Sequence, residues 1–154
     1  MGRLGRHQIL YDGCFAHIFS RSFEGRFIFK SSLDFETFQA LILSEKKRFG
    51  FLIHHYCLMN THFHLAASIP NLEGFSQGMA NVKREYTKWF NRTYRRTGPL
   101  WRERFRSMLI ENHSYLYACG LYIENNPVKA GLVEKSTDWT YSSSRFYESN
   151  LPDL

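Results

Sequence analysis

Apolar and aromatic residues recur at two different periods along this chain, and the switches between the periods outline a fold. Cys14-Phe-Ala-His-Ile-Phe-Ser20 has strand composition, and Ser22 to Gly25 reads as a turn or loop. From Leu33 to Phe49, residues Phe35, Phe38, Leu41 and Ile42 fall at three- and four-residue spacing, which predicts a helix stopped by Gly50. Phe51 to Met59 and His62 to Ile69 are aromatic and β-branched runs parted by Asn60-Thr61, the pattern of an antiparallel hairpin. The longest helix is expected from Phe75 to around Arg96, carried by Phe75, Met79, Val82, Tyr86, Trp89 and Phe90 and ended by Gly98-Pro99. Leu100 to Ile110 reads as another strand and His113 to Asn125 as another helix, which Pro127 stops.

The order β-α-β-β-α-β plus a C-terminal helix predicts an α+β fold: a ferredoxin-like sandwich with an antiparallel sheet. A length of 154 residues fits a single domain, with residues 1–13 and 148–154 expected at its periphery. No internal repeat, low-complexity segment or Pro/Ser-rich linker interrupts it. The segment Met1-Gly2-Arg3-Leu4-Gly5-Arg6 lacks the apolar run of a signal peptide, and no stretch approaches bilayer-spanning length. A soluble cytoplasmic protein with no membrane partner is therefore expected. Cys14, Cys57 and Cys119 are odd in number and widely spaced, which points to neither a disulfide framework nor a zinc ribbon.

The formal net charge of +6 is not spread evenly. Lys83, Arg84, Lys88, Arg92, Arg95, Arg96, Arg102, Arg104 and Arg106 share a window with only two acids, Glu85 and Glu103. That window carries all of the excess positive charge. Arg84, Lys88, Arg92 and Arg96 recur every four residues, so a continuous helix would place them on one face. A phosphate backbone is the natural partner of such a stripe, and Trp101 beside Arg102, Arg104 and Arg106 adds an aromatic that could stack on bases. A solvated helix face is the plainer alternative.

His62-Phe63-His64 carries the most chemical information. On a strand, residues i and i+2 point to one face, so both imidazoles would converge above the sheet while Phe63 faces the opposite layer. Such a pair can bind a transition metal or join oxygen ligands around Mn or Mg, although H-x-H triplets also arise by chance. Further along, Leu116, Cys119 and Ile123 form one helical stripe, and Tyr115, Tyr122 and Asn126 another. A phenol ionises near pH 10, so Tyr122 would need activation to act as a nucleophile. A metal that polarises a phosphate supplies such help, and the amide of Asn126 could join the coordination. By spacing alone, Tyr122 could equally be packing and Asn126 a helix cap. Tyr86 is the rival nucleophile, but its spacing with Val82, Trp89 and Phe90 suits a core position.

Three segments occur in order: Leu58-Met-Asn-Thr-His-Phe-His-Leu65, Gly98-Pro-Leu-Trp-Arg-Glu-Arg-Phe-Arg-Ser107 and Tyr122-Ile-Glu-Asn-Asn-Pro-Val-Lys-Ala-Gly-Leu-Val133. Together they resemble the single-tyrosine HUH transposases, especially the REP-associated tyrosine transposases. The ending Asp138-Trp-Thr-Tyr-Ser-Ser-Ser-Arg145 is similar too. The resemblance implies a catalytic Tyr122 on the C-terminal helix, a divalent metal (Mg or Mn) held by His62, His64 and Asn126, and a single-stranded or hairpin DNA partner. It also implies nicking and strand transfer through a 5′-phosphotyrosyl intermediate, in a nucleoid-associated protein that acts as a monomer or a homodimer. Where relatives carry Met-Pro-Asn before the first histidine, this chain has Met59-Asn60-Thr61. A catalytically silent binder of DNA or RNA hairpins and a metal-dependent phosphodiesterase remain as alternatives.

Overall fold

A computed structural model of the chain describes residues 10–149. In chain order the elements are β1 (Cys14–Arg21), α1 (Ser32–Phe49), β2 (Leu52–Met59), β3 (His62–Ile69), α2 (Leu72–Thr93), β4 (Arg106–Ile110), α3 (His113–Glu124), the short α4 (Asn126–Lys129) and α5 (Ser144–Ser149). The four strands form one antiparallel sheet in the order β2-β3-β1-β4. Strand β3 lies between β1 and β2, so β1-α1-β2 is a split β-α-β unit, and the expected α+β sandwich is present.

Side chains alternate between the two faces of the sheet, and the two faces do different work. Ala16 and Ile18 of β1, Leu58 of β2, and Phe63, Leu65 and Ala67 of β3 pack on Phe38, Ile42, Val82, Tyr86 and Phe90 of α1 and α2. This is the main core. The opposite face carries a smaller apolar cluster of Cys57, Met59, Ala66, Ile110 and Ile123, with Leu116 and Cys119 at its margin, on which α3 rests.

Several boundaries depart from the sequence expectation for identifiable reasons. Helix α2 starts at Leu72, because Asn71 Oδ1 accepts the Gly74 N–H at 2.6 Å and Asp12 Oδ1 accepts the Leu72 N–H at 2.8 Å. Of residues 10–13, Leu10 is buried in the core, whereas Tyr11, Asp12 and Gly13 are exposed. Residues 1–9 and 150–154 lie outside the described residues. At its other end α2 stops at Thr93, and Arg95 adopts a left-handed backbone (φ 49°), so Arg96 leaves the helical stripe. Trp101 makes a single bridge to Ser22, and the chain then bulges where Glu103 gives its carbonyl to Lys83 Nζ at 2.7 Å, so β4 begins only at Arg106. Pro127 does not end helical structure but opens α4, since a first-turn residue needs no N–H partner.

The chain after α4 returns to the sheet and covers the outer edge of β2. Leu58 N–H donates to Tyr141 O at 2.8 Å, Ser143 N–H to Tyr56 O at 3.0 Å, and the Tyr141 ring stacks on Phe35 at 3.8 Å. Among the described residues, no helix is long and apolar enough to cross a membrane.

Candidate active site

The face opposite α1 and α2 gathers three imidazoles. His62 and His64 of β3 have ring centroids 5.2 Å apart. His17 of β1 stacks beside His64 at 5.1 Å, with its Nε2 2.9 Å from His64 Nδ1. Thr61, in the hairpin turn, places its hydroxyl 3.0 Å from His62 Nδ1. The turn itself is pinned by Asn60, whose amide donates to Phe29 O at 2.9 Å. Burial pushes the His64 imidazole down to about 3, helped by the neighbouring His17, and pushes His17 down to about 4. His62 also falls to about 4, through burial and then the charge of Arg21. All three rings are therefore neutral at physiological pH and carry a lone pair, the form in which imidazole binds a metal.

Tyr122 stands over this cluster from α3. Its ring lies 6.2 Å from that of His64 and 6.1 Å from that of His17, and it is 51% exposed, open to a large substrate. Lys129 of α4 holds its ammonium 5.8 Å from the Tyr122 ring. Apolar contact with the sheet is modest under α3, and polar contacts complete the docking. Buried Glu124 accepts from His55 at 2.8 Å and from the Ser143 hydroxyl at 2.6 Å, which ties the tyrosine helix to β2 and to the returning tail. Gly120 makes this approach possible, because a Cβ there would lie 2.5 Å from the His55 ring.

Asn126 lies one turn beyond Tyr122, where its amide nitrogen donates to Tyr122 O at 3.0 Å and Ile123 O at 3.1 Å. The side chain thus caps α3 through its nitrogen, and its oxygen is the atom left that could serve as a metal donor. Among the described residues no three His, Cys, Asp or Glu side chains form a complete metal cage. The neutral pair of His62 and His64 could still hold a divalent ion whose further ligands are oxygens of water, an amide or a phosphate.

The basic window divides into parts with different surroundings. Lys83 is a buried strut, donating to Ser20 Oγ and Glu103 O. Arg84, Lys88 and Arg92 do share an outer face of α2, but that face lies across the core from the imidazoles, and Arg84 and Lys88 both contact Glu85. Arg95 is exposed on the turn after α2. Arg96 is not part of the stripe: it braces the following loop through Asn91 Oδ1 at 2.7 Å and Pro99 O at 3.1 Å. Trp101 is half-buried against the main core, with its ring beside those of Phe38 and Phe63. Arg102 lines an open groove with Arg21, Thr61 and His62, and Arg104 and Arg106 line an adjoining pocket that shares Arg21 and Arg102 with it. Tyr86, the rival nucleophile, is fully buried on the other face and donates to Ile28 O.

His17, Arg21, Thr61 and Lys129 escaped the sequence reading of this site. His17 and Arg21 belong to β1, and only strand pairing, which sets Arg21 opposite His62 and Phe19 opposite His64, brings them here. The available signal was the alternation Phe15, His17, Phe19, Arg21, which marks a second face that is not an apolar core.

Residues 11–126, a span that includes all three imidazoles, Tyr122 and Asn126, match the family described as Transposase IS200 like. A Haemophilus influenzae protein described as a REP-associated tyrosine transposase is 35% identical over 98 residues, which cover 56% of this chain and 55% of that protein. The match thus spans about half the length of the curated relative. Among solved structures, a REP-associated tyrosine transposase bound to a REP hairpin superposes with a TM-score of 0.77 at 22% identity, covering 99% of this chain and 89% of that one. A Deinococcus radiodurans protein described as a transposase superposes with a TM-score of 0.51 at 15% identity, covering 80% of this chain and 97% of that one. At these identities the two structures establish the likeness of fold.

Two outcomes follow from the packing. Gly120→Ala forces α3 away from His55 and should lower the unfolding free energy by about 1–3 kcal/mol, read by chemical denaturation. In the metal-free protein the unfolded histidines protonate near 6.5, whereas the folded ones resist until about 4 or 3. Stability should therefore be full above about pH 6.5 and decline as the pH falls toward 4, with a shallower decline in His64→Gln. A denaturation midpoint that rose on acidification would contradict this account.

Proposed function

This chain belongs to the IS200-like transposase family, and on that premise we propose that it nicks and rejoins single-stranded DNA through Tyr122. The observation that carries the proposal is the half-exposed Tyr122 ring standing 6.2 Å from His64 on the one sheet face that gathers neutral imidazoles. The substrate is a hairpin-bearing strand, as the REP-hairpin complex of the structural relative suggests. Such a protein works with the nucleoid in the cytoplasm.

The Tyr122 oxygen attacks the scissile phosphorus, the bond from phosphorus to the 3′-oxygen breaks, and the departing strand takes a proton to become a 3′-hydroxyl. A 5′-phosphotyrosyl ester remains, and a later 3′-hydroxyl attacks it, forming a new junction and returning the phenol. The ester conserves the bond, so no nucleotide cofactor is needed. His62 and His64, with Asn126 Oδ1, would hold a divalent ion (Mg or Mn). When bound, that ion supplies Lewis-acid polarisation of the phosphate and stabilises charge on the transferring group. Arg21 and Arg102, lining the groove beside His62, bind the flanking phosphates, and Lys129 meets charge beside the phenol.

Incubation with a labelled hairpin-bearing single strand and Mn²⁺ should give a covalent protein–DNA band on a denaturing gel. The band should vanish in Tyr122→Phe and in His62→Ala and persist in Tyr86→Phe. Cleavage without an adduct would indicate hydrolysis by water, and retarded mobility without cleavage a silent binder; either result overturns the proposal. Replacing Arg21 and Arg102 by Ala should weaken binding and flatten the log–log salt dependence by about 0.7 per lost contact. The same change at Arg84 and Arg92 should have the smaller effect, and the reverse ranking would move the strand to the outer face of α2.

A further inference from the structure

Both candidate metal-binding histidines have the same ring nitrogen engaged. His64 Nδ1 is 2.9 Å from His17 Nε2, and His62 Nδ1 is 3.0 Å from the Thr61 hydroxyl. In each ring only Nε2 is left to meet a ligand. We propose that His17 and Thr61 are positioning residues that keep the proton of each metal-binding histidine on Nδ1, so that both Nε2 atoms present lone pairs. This inference rests on the reading of His62 and His64 as metal ligands.

The His17–His64 contact is decisive, because two neutral imidazoles this close share one proton. With that proton on His17, His64 would carry its own on Nε2 and could offer no lone pair there. With the proton on His64 Nδ1, His17 Nε2 accepts it and His64 Nε2 is free to bind. Thr61 can accept from His62 Nδ1 in the same sense, since a hydroxyl oxygen has lone pairs to spare. Burial makes the arrangement firm: His17 is 8% exposed and His64 5% exposed, so water competes poorly for either nitrogen. Partners of this kind fix tautomer and ring orientation at metal sites. His17 also reaches within 6.1 Å of the Tyr122 ring, so a role as proton acceptor for the phenol must be separated from a positioning role.

The test uses the whole protein without DNA. Long-range proton–nitrogen correlation spectra of ¹⁵N-histidine-labelled, metal-free protein should show His64 protonated at Nδ1, with Nε2 bare, and a mixture of tautomers in His17→Ala. Mn²⁺ affinity should fall by about 10–100-fold in His17→Ala, the usual cost of losing such a partner. In His17→Gln, where an amide oxygen can accept the same proton, most of that affinity should return, which also guards against a folding defect. Thr61→Val should weaken Mn²⁺ binding and shift the His62 tautomer. A wild-type His64 protonated at Nε2, or Mn²⁺ affinity unchanged in His17→Ala, would overturn the inference. Loss of the DNA adduct in His17→Ala with intact Mn²⁺ affinity would overturn it too, by making His17 the proton acceptor for Tyr122. Mn²⁺ affinity unchanged in His64→Ala would instead sink the reading of the site as a metal centre, while the spectra would still decide the tautomer.

Discussion

The register between β1 and β3 is the constraint on which this molecule depends. It sets Arg21 against His62 and Phe19 against His64, and it lets His17 reach His64 across the strand pair. Because side chains alternate along a strand, a slip of one residue would turn the imidazoles into the α1–α2 core and send Phe63 and Leu65 into solvent. The register is held by the large apolar core on one face, whose loss would cost far more than anything on the other. Stability is thus built on one side of the sheet and spent on holding polar chemistry in place on the other.

That division explains how the two sides of the sheet tolerate different things. On the core side, large aromatic side chains interlock: Phe38, Phe63, Tyr86 and Trp101 meet at ring distances of 5.1 to 6.3 Å. On the other side the apolar cluster is small, and α3 is held largely by the His55–Glu124–Ser143 chain of hydrogen bonds. Such a chain is directional where an apolar contact is not. It fixes the rotation of α3 about its axis, and with it the direction in which Tyr122 looks.

What could be read from the sequence was mostly local. His62-Phe63-His64 and Tyr122 followed by Asn126 are visible because strand and helix periods act over a few residues, and the order of elements followed from the same periods. His17 was not visible as a site residue, because its partner lies 47 positions away and only sheet pairing joins them. The arginine stripe holds for Arg84, Lys88 and Arg92 but not for Arg96, because the four-residue spacing was carried past Thr93 into a segment where Arg95 turns left-handed. Trp101 among arginines suggests stacking on bases, and in the fold it lies half-buried beside Lys83. Its ammonium lies 4.9 Å from the Trp101 ring and binds the Glu103 carbonyl.

The returning tail has a consequence in time. Ser143 follows every strand of the sheet in chain order, and proteins are made from the N-terminal end. The residue that anchors Glu124 is thus made after all four strands and after α3 itself. Docking of α3, and of Tyr122 with it, over the imidazole face is therefore complete only once the tail has been made.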